Sequence, residues 1–225
     1  MRLLHLGDLE LTLPLAAAAG AWLLAARAWR AAGAWLLLYA AVIALVGGSK
    51  IAYLAWGTDI AVLGFKAFSG HATGVTAVYP VLGYLLCRPF GRSPALAAAG
   101  AGLALGLVLA VALVTQDEHA VAEAAGGWLL GAGASIGALY QAEHGAGHQA
   151  QHQAAAQTGA SSTQRAGGRD GTRSAVAGPA SPLCAIVVFV ASASLMQSAH
   201  VGYWMIRVAL ALSGNAQPYS WDTCG

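Results

Sequence analysis

Charge is what this sequence has least of. Only 9% of its 225 residues are Asp, Glu, Lys or Arg, against roughly a quarter in an ordinary soluble domain. Eleven basic and nine acidic side chains cannot coat a globule of this length, which argues against a soluble enzyme. The net charge is only +2 and no basic stripe is present, which excludes a nucleic-acid binder. Cysteine is also scarce. Cys87, Cys184 and Cys224 are scattered and odd in number, so they form neither a disulfide framework nor a metal knuckle, and they do not define a redox compartment. What is abundant is apolar: 58% of residues are hydrophobic, with a mean hydropathy of +0.62. The expected solvent is mostly lipid.

The few charges punctuate the chain. Long uncharged stretches run from Glu10 to Arg27, Arg30 to Lys50, Lys66 to Arg88, Arg92 to Asp117, Glu123 to Glu143 and Arg173 to Arg207. A spanning helix needs about 20 mostly apolar residues. These stretches therefore predict an all-α, polytopic membrane helix bundle with about six transmembrane helices, over 9–27, 31–49, 71–87, 95–115, 120–140 and 182–206. Membrane strands are disfavoured, because the segments are rich in Ala and Leu and do not alternate polar with apolar residues. The whole chain, 1–225, is expected to be one membrane domain. Arg2 ahead of an Ala-rich run resembles a signal peptide, but Asp8 and Glu10 interrupt the apolar core such a peptide needs, so a retained first helix is expected.

Loop charges set the expected orientation. Arg27, Arg30, Arg88, Arg92, Arg165, Arg169 and Arg173 fall on one face; Arg2, Lys50 and Lys66 fall on the other, with Arg207 near it. The positive-inside rule puts the richer face in the cytoplasm and both termini outside. The outer face also holds Asp8, Glu10, Asp59, Asp117, Glu118 and Asp222.

The segment 141–181 differs in composition. It is rich in Ala, Gly, Gln, Ser and Thr and has almost no large apolar residue, so it reads as a flexible cytoplasmic loop. His144, His148 and His152 within it are spaced by four, which would align them on a helix face and could suit a metal. Gly145 and Gly147 weaken such a helix, and only Glu143 adds a nearby carboxylate. A solvated linker is the expected reading, with no metal site.

The residues able to do chemistry gather on the outer face. Lys50 ends the second expected span, Phe68-Ser69-Gly70-His71 opens the third, Asp117-Glu118-His119 follows the fourth, and Glu123 begins the fifth. Taken singly, each is an interfacial polar residue at a helix end. Their convergence is the signal, because ionisable groups at a membrane are costly and often functional. His119 and Glu123, four apart, share a helical face, and a carboxylate beside an imidazole fixes its tautomer and raises its basicity. Ser69-Gly70-His71 precedes a helix, where unpaired N–H groups favour an anion, and Lys50 and Lys66 add positive charge. Two histidines, cations and a helix N-terminus suit phosphoryl transfer: one imidazole attacks phosphorus and the other protonates the leaving oxygen.

On these residues the sequence resembles the type 2 phosphatidic acid phosphatase family, the membrane relatives of vanadium haloperoxidases. The family pattern is K-x6-R-P, then P-S-G-H, then S-R-x5-H-x3-D. The corresponding pieces are Lys50, Phe68-Ser69-Gly70-His71 and His119-x3-Glu123, and the runs Ser49–Gly57, Glu123–Gly131 and Leu210–Tyr219 look like a bacterial branch. The resemblance implies a metal-independent lipid phosphatase without cofactor. His119 would be the nucleophile, Glu123 its orienting carboxylate and His71 the general acid, while Lys50, Ser69 and the Gly70 backbone would hold phosphate; Lys66, outside the family pattern, is a further phosphate-binding candidate by its charge. It further implies lipid phosphates or pyrophosphates as substrates, membrane lipids as the surroundings, and a bacterial inner membrane with the active face periplasmic.

Besides Glu123 in place of Asp, the chain departs from the pattern at three places. Gly57-Thr58 stand for Arg-Pro, Phe68 for Pro, and Ala112-Leu113 for Ser-Arg, and no arginine occurs between Arg92 and Arg165. Losing a bidentate guanidinium removes transition-state stabilisation, and a lysine does not copy its fork. Two other readings therefore stand beside the phosphatase. One is a family-fold membrane protein with weakened or lost catalysis that binds a lipid or partner. The other is a transporter, which would place its ionisable groups near the midplane.

Overall fold

The computed structural model describes residues 4–160, 180–196 and 201–219. Among the described residues the regular structure is helical: α1 Leu9–Ala25, α2 Trp29–Trp56, α3 Gly70–Cys87, α4 Arg92–Thr115, α5 Val121–Ala160, α6 Ala180–Met196 and α7 Val201–Ser213, with short 3-10 turns at Leu4–Gly7, Ala61–Leu63 and Arg88–Phe90. Strand pairing is limited there to one isolated bridge between Ile60 and Phe65. The all-α class expected from the sequence holds. Two helices, α2 and α4, are long and apolar enough to cross a membrane, and the bent pair of α6 and α7 would make a third. Leu37, Leu107, Val111, Leu129, Val187 and Leu195 all face outward, as on a lipid-facing surface.

Three boundaries differ from expectation. Helix α2 does not stop at Lys50 but runs on to Trp56; Lys50 is accommodated because it borders a cavity rather than the outer surface. Helix α5 continues through the start of the expected loop to Ala160. The expected span 182–206 is divided between α6 and α7, bent by 57°. Of the histidines spaced by four, His144 donates from Nδ1 to the Tyr140 carbonyl at 2.9 Å and stacks on the Tyr140 ring. The side chains of His148 and His152 lie outside the described residues.

Helix α3 is the core of the bundle. It packs on α4, α5 and α1, and most of its residues from Ala72 to Leu85 are buried. Lipid tails are as apolar as side chains, so helices in a membrane are held mainly by close packing. Two small-xxx-small pairs, Gly127 with Gly131 on α5 and Gly102 with Gly106 on α4, supply the close approach. A Cβ on Gly127 or Gly131 of α5 would come within 2.5 Å of Ser69 O and 2.6 Å of Thr73 O on α3, respectively, and one on Gly102 of α4 would come within 2.5 Å of Pro80 N. With the α5 backbone this near, the Thr73 hydroxyl is within hydrogen-bond distance of both the Ser69 carbonyl, at 2.7 Å, and the Gly127 carbonyl, at 3.0 Å.

The outer helices are tied in by single polar contacts. The buried indole of Trp35 on α2 donates to the Ala16 carbonyl of α1 at 3.0 Å. At the last turn of α2, otherwise orphaned carbonyls are satisfied by the C-terminal tail: Asn215 Nδ2 donates to Ala55 O at 2.8 Å and Tyr219 N to Leu54 O at 3.1 Å. At the opposite end of α3, the Glu143 carboxylate accepts from Arg92 Nε at 2.7 Å and from the Tyr84 hydroxyl, which itself accepts from Arg88 Nε at 3.0 Å. This network holds α3, α4 and α5 together on the arginine-rich face.

Candidate active site

The α4–α5 turn delivers the first histidine. Asp117 adopts a left-handed conformation, φ 57°, which an aspartate tolerates better than most residues. Its N–H donates to Val114 O at 3.2 Å, and the N–H of Glu118 donates to Leu113 O at 3.0 Å. That pairing is a Schellman closure of α4, and it turns the chain so that His119 stands two residues before α5.

Glu123 then does two things at once. It occupies the third position of α5 and reaches back to the Ala120 N–H at 3.4 Å with Oε2, the carboxylate half of a capping box. The same oxygen lies 2.8 Å from His119 Nδ1. Oε1 accepts the N–H groups of Lys66 at 2.8 Å and Ala67 at 3.2 Å. The Glu123 carbonyl accepts the Ser69 N–H at 3.1 Å, and Ser49 Oγ accepts the Phe68 N–H at 3.2 Å. Every amide from Lys66 to Ser69 is thereby pinned to α5 or α2. Glu123 is buried, and its two oxygens are fully engaged.

The consequence for His119 is chemical. A carboxylate only accepts hydrogen bonds, so the Nδ1 facing Glu123 carries the proton and Nε2 is left with its lone pair. The imidazole is 17% exposed.

The second histidine is held differently. Ser69 is fully buried and caps α3 by accepting the Ala72 N–H at 3.4 Å. Gly70 and His71 follow as the first residues of α3. His71 Nε2 lies 3.0 Å from Asp8 Oδ1, and the other Asp8 oxygen is 3.0 Å from His5 Nδ1. Asp8 is the residue that sequence reasoning missed. Its separation of 63 residues from His71 leaves no local pattern to find.

Gly70, His71 and Lys50 line one cavity of about 290 Å³, whose other walls are apolar and include Val46, Leu9 and Met205. The Lys50 ammonium lies 3.7 Å from where a Gly70 Cβ would stand. A cation therefore sits at the N-terminus of α3, where the helix dipole is also positive, and an anion would relieve both. Lys50 and His119 both act electrostatically on His71, and His119 does not itself line this cavity. Of the expected phosphate-binding residues, the structure brings Lys50 and Gly70 to this cavity. Ser69 is enclosed as a cap, and Lys66 places its ammonium 5.8 Å from the Tyr53 ring centre.

Leu113 stands where the resemblance expects arginine. It is 2% exposed and packs with Ala72, Val75, Leu109, Ala110 and Ala124. The position is dry and filled.

Known proteins add one sequence relative. The chain is 34% identical over 130 residues to a Klebsiella pneumoniae protein described as "Uncharacterized 22.5 kDa protein in cps region", a match covering 57% of this chain and 62% of the relative. The chain thus spans less than two thirds of that relative's length. No family model matches the chain, and no solved structure matches it.

Proposed function

We propose that the chain is an integral-membrane phosphatase that hydrolyses lipid phosphates or pyrophosphates through a phosphohistidine on His119. The observation that carries this reading is the 2.8 Å contact between His119 Nδ1 and Glu123 Oε2, which leaves Nε2 as a nucleophile of fixed orientation. Nε2 attacks phosphorus and the P–O bond to the lipid breaks. His71 gives its proton to the departing oxygen. Water then attacks phosphorus as it gives a proton back to His71, the P–N bond breaks, and inorganic phosphate leaves with both histidines restored. Lys50 and the amide end of α3 at Gly70 hold the phosphate oxygens; Ser69 and Lys66 build the loop that presents them. The apolar walls of the cavity beside Lys50 and His71 suit a phosphate that carries a hydrocarbon chain.

The same reading includes six membrane spans with both termini outside and the two histidines at the periplasmic surface of a bacterial inner membrane. Its support is the clustering of His71, His119, Lys50 and Glu123 at one end of the bundle and of the Arg88–Arg92–Glu143 network at the other.

A second reading is favoured by one observation. Leu113 fills the place of the family arginine with packed hydrocarbon, which points to a family-fold protein with weakened or lost catalysis that binds a lipid or a partner. Phosphate release by the purified protein from a panel of lipid phosphates, with His119→Ala as control, separates the two. Turnover that depends on His119 supports the phosphatase, and its absence across the panel supports the second reading.

A further inference from the structure

Asp8 is the residue preceding α1, a position where aspartate ordinarily turns its side chain onto the free N–H groups of the helix. Here it makes no such bond. Its backbone does the helix-initiating work: the Asp8 carbonyl accepts from Leu11 N at 3.0 Å, Thr12 N at 2.9 Å and Thr12 Oγ1 at 3.1 Å. The carboxylate is turned away to His71 Nε2 and His5 Nδ1, each at 3.0 Å. Forgoing a cap forfeits stability that the helix would otherwise gain, so the side chain serves something other than the helix.

The segment that carries Asp8 is fitted to α3. A Cβ on Gly7 would come within 2.8 Å of His71 Cα, so only glycine lets the chain lie this flat on the histidine's backbone. One residue earlier, the Leu6 carbonyl accepts from the Tyr79 hydroxyl at 3.4 Å. The N-terminal turn Leu4–Gly7 is thus a strap across the start of α3, and Asp8 is the group it delivers.

We propose that Asp8 is a positioning residue for His71, holding the proton on Nε2 so that Nδ1 is the atom presented to the site. Resting on the phosphatase reading, this completes the proton balance of the first step. The imidazolium gives its Nδ1 proton to the leaving oxygen, and the neutral ring that remains keeps its second proton on Nε2, where Asp8 accepts it. His5, with a side chain 78% exposed, steadies the carboxylate from the solvent side. Lys50 on α2 and His119 on the α4–α5 turn are the other charged or titratable groups acting on His71, and the group within hydrogen-bond distance of its Nε2 is Asp8.

Two variants separate positioning from folding. Asp8→Asn and Asp8→Ser both remain good helix caps, so both should melt at or above the wild-type temperature in detergent. Nitrogen NMR of histidine-labelled protein above the titration range, with the His71 signal assigned from His71→Gln, should show the Nε2–H tautomer in wild type and a mixture in both variants. On the lipid phosphate, kcat should fall about 10-fold or more, within the ~10²–10⁴-fold that acid–base catalysis contributes, with KM nearly unchanged. An unchanged tautomer in both variants overturns the proposal, as does an unchanged kcat in an active protein. If wild type releases no phosphate, the phosphatase reading fails separately, and the tautomer alone still decides whether Asp8 sets the His71 ring.

Discussion

The carbonyl of Leu113 accepts the N–H of His119 at 3.3 Å, so the last turn of α4 and the candidate nucleophile are joined through the backbone. The Leu113 side chain takes no part in this link and is sealed among Ala72, Val75, Leu109, Ala110 and Ala124. The resemblance expects a phosphate-binding guanidinium at this place, and the structure puts a buried hydrocarbon side chain there.

Leu113→Arg should therefore damage the protein rather than add activity. Overpacking a filled site costs about 1–3 kcal/mol, and an unpaired buried charge adds to that. The melting temperature in detergent should fall, and any phosphatase rate should fall with it. Leu113→Ala should cost roughly 2–5 kcal/mol by leaving a cavity. An arginine variant that melts like wild type and turns over faster would show that the site has room after all.

Gly131 is a second sensitive position. A methyl group there would lie 2.6 Å from the Thr73 carbonyl, whereas one on Gly133 would meet nothing within 4 Å. Gly131→Ala should push α5 off α3 and destabilise by about 1–3 kcal/mol. Gly133→Ala, on an exposed helix position, should be neutral or stabilising by roughly 0.5–1 kcal/mol. Equal melting temperatures for the two variants would contradict the close α3–α5 contact.

The arginine-rich end predicts an acid dependence. Burial alone would raise the Glu143 carboxyl, but hydrogen bonds from Tyr84 and Arg92 and the nearby charges of Arg92 and Arg88 hold it below its ordinary value of 4.5. A carboxylate depressed in the folded state contributes stability above its unfolded value, and the contribution is lost as pH falls through the lower folded value. Wild type should melt above Glu143→Gln at pH 7. The gap should stay constant down to about pH 5 and close below it. A gap that widens in acid would refute the assignment.

The sequence makes the helices and one half of the site legible for physical reasons that differ in range. Uncharged runs between charges mark α1 to α5 as apolar helices, two of which, α2 and α4, are long and apolar enough to cross a membrane. The His119–Glu123 pair is readable because four residues is one helical turn. Lys50 misleads as a boundary, since a lysine that borders a cavity does not end a helix. Low apolar content over 141–160 suggests a loop, yet Ala and Gln are good helix formers and α5 continues through them. Asp8 and Ser49 escape notice because their partners, His71 and the Phe68 amide, are brought near only by the packing of α1 and α2 on α3.

The central claim rests on a covalent bond at one atom. Purified protein incubated with a lipid phosphate radiolabelled at phosphorus, then quenched in alkali, should carry label on His119 that acid removes, and His119→Ala should carry none and release no phosphate above background. Undiminished phosphate release by His119→Ala, with no acid-labile label in wild type, would contradict the account.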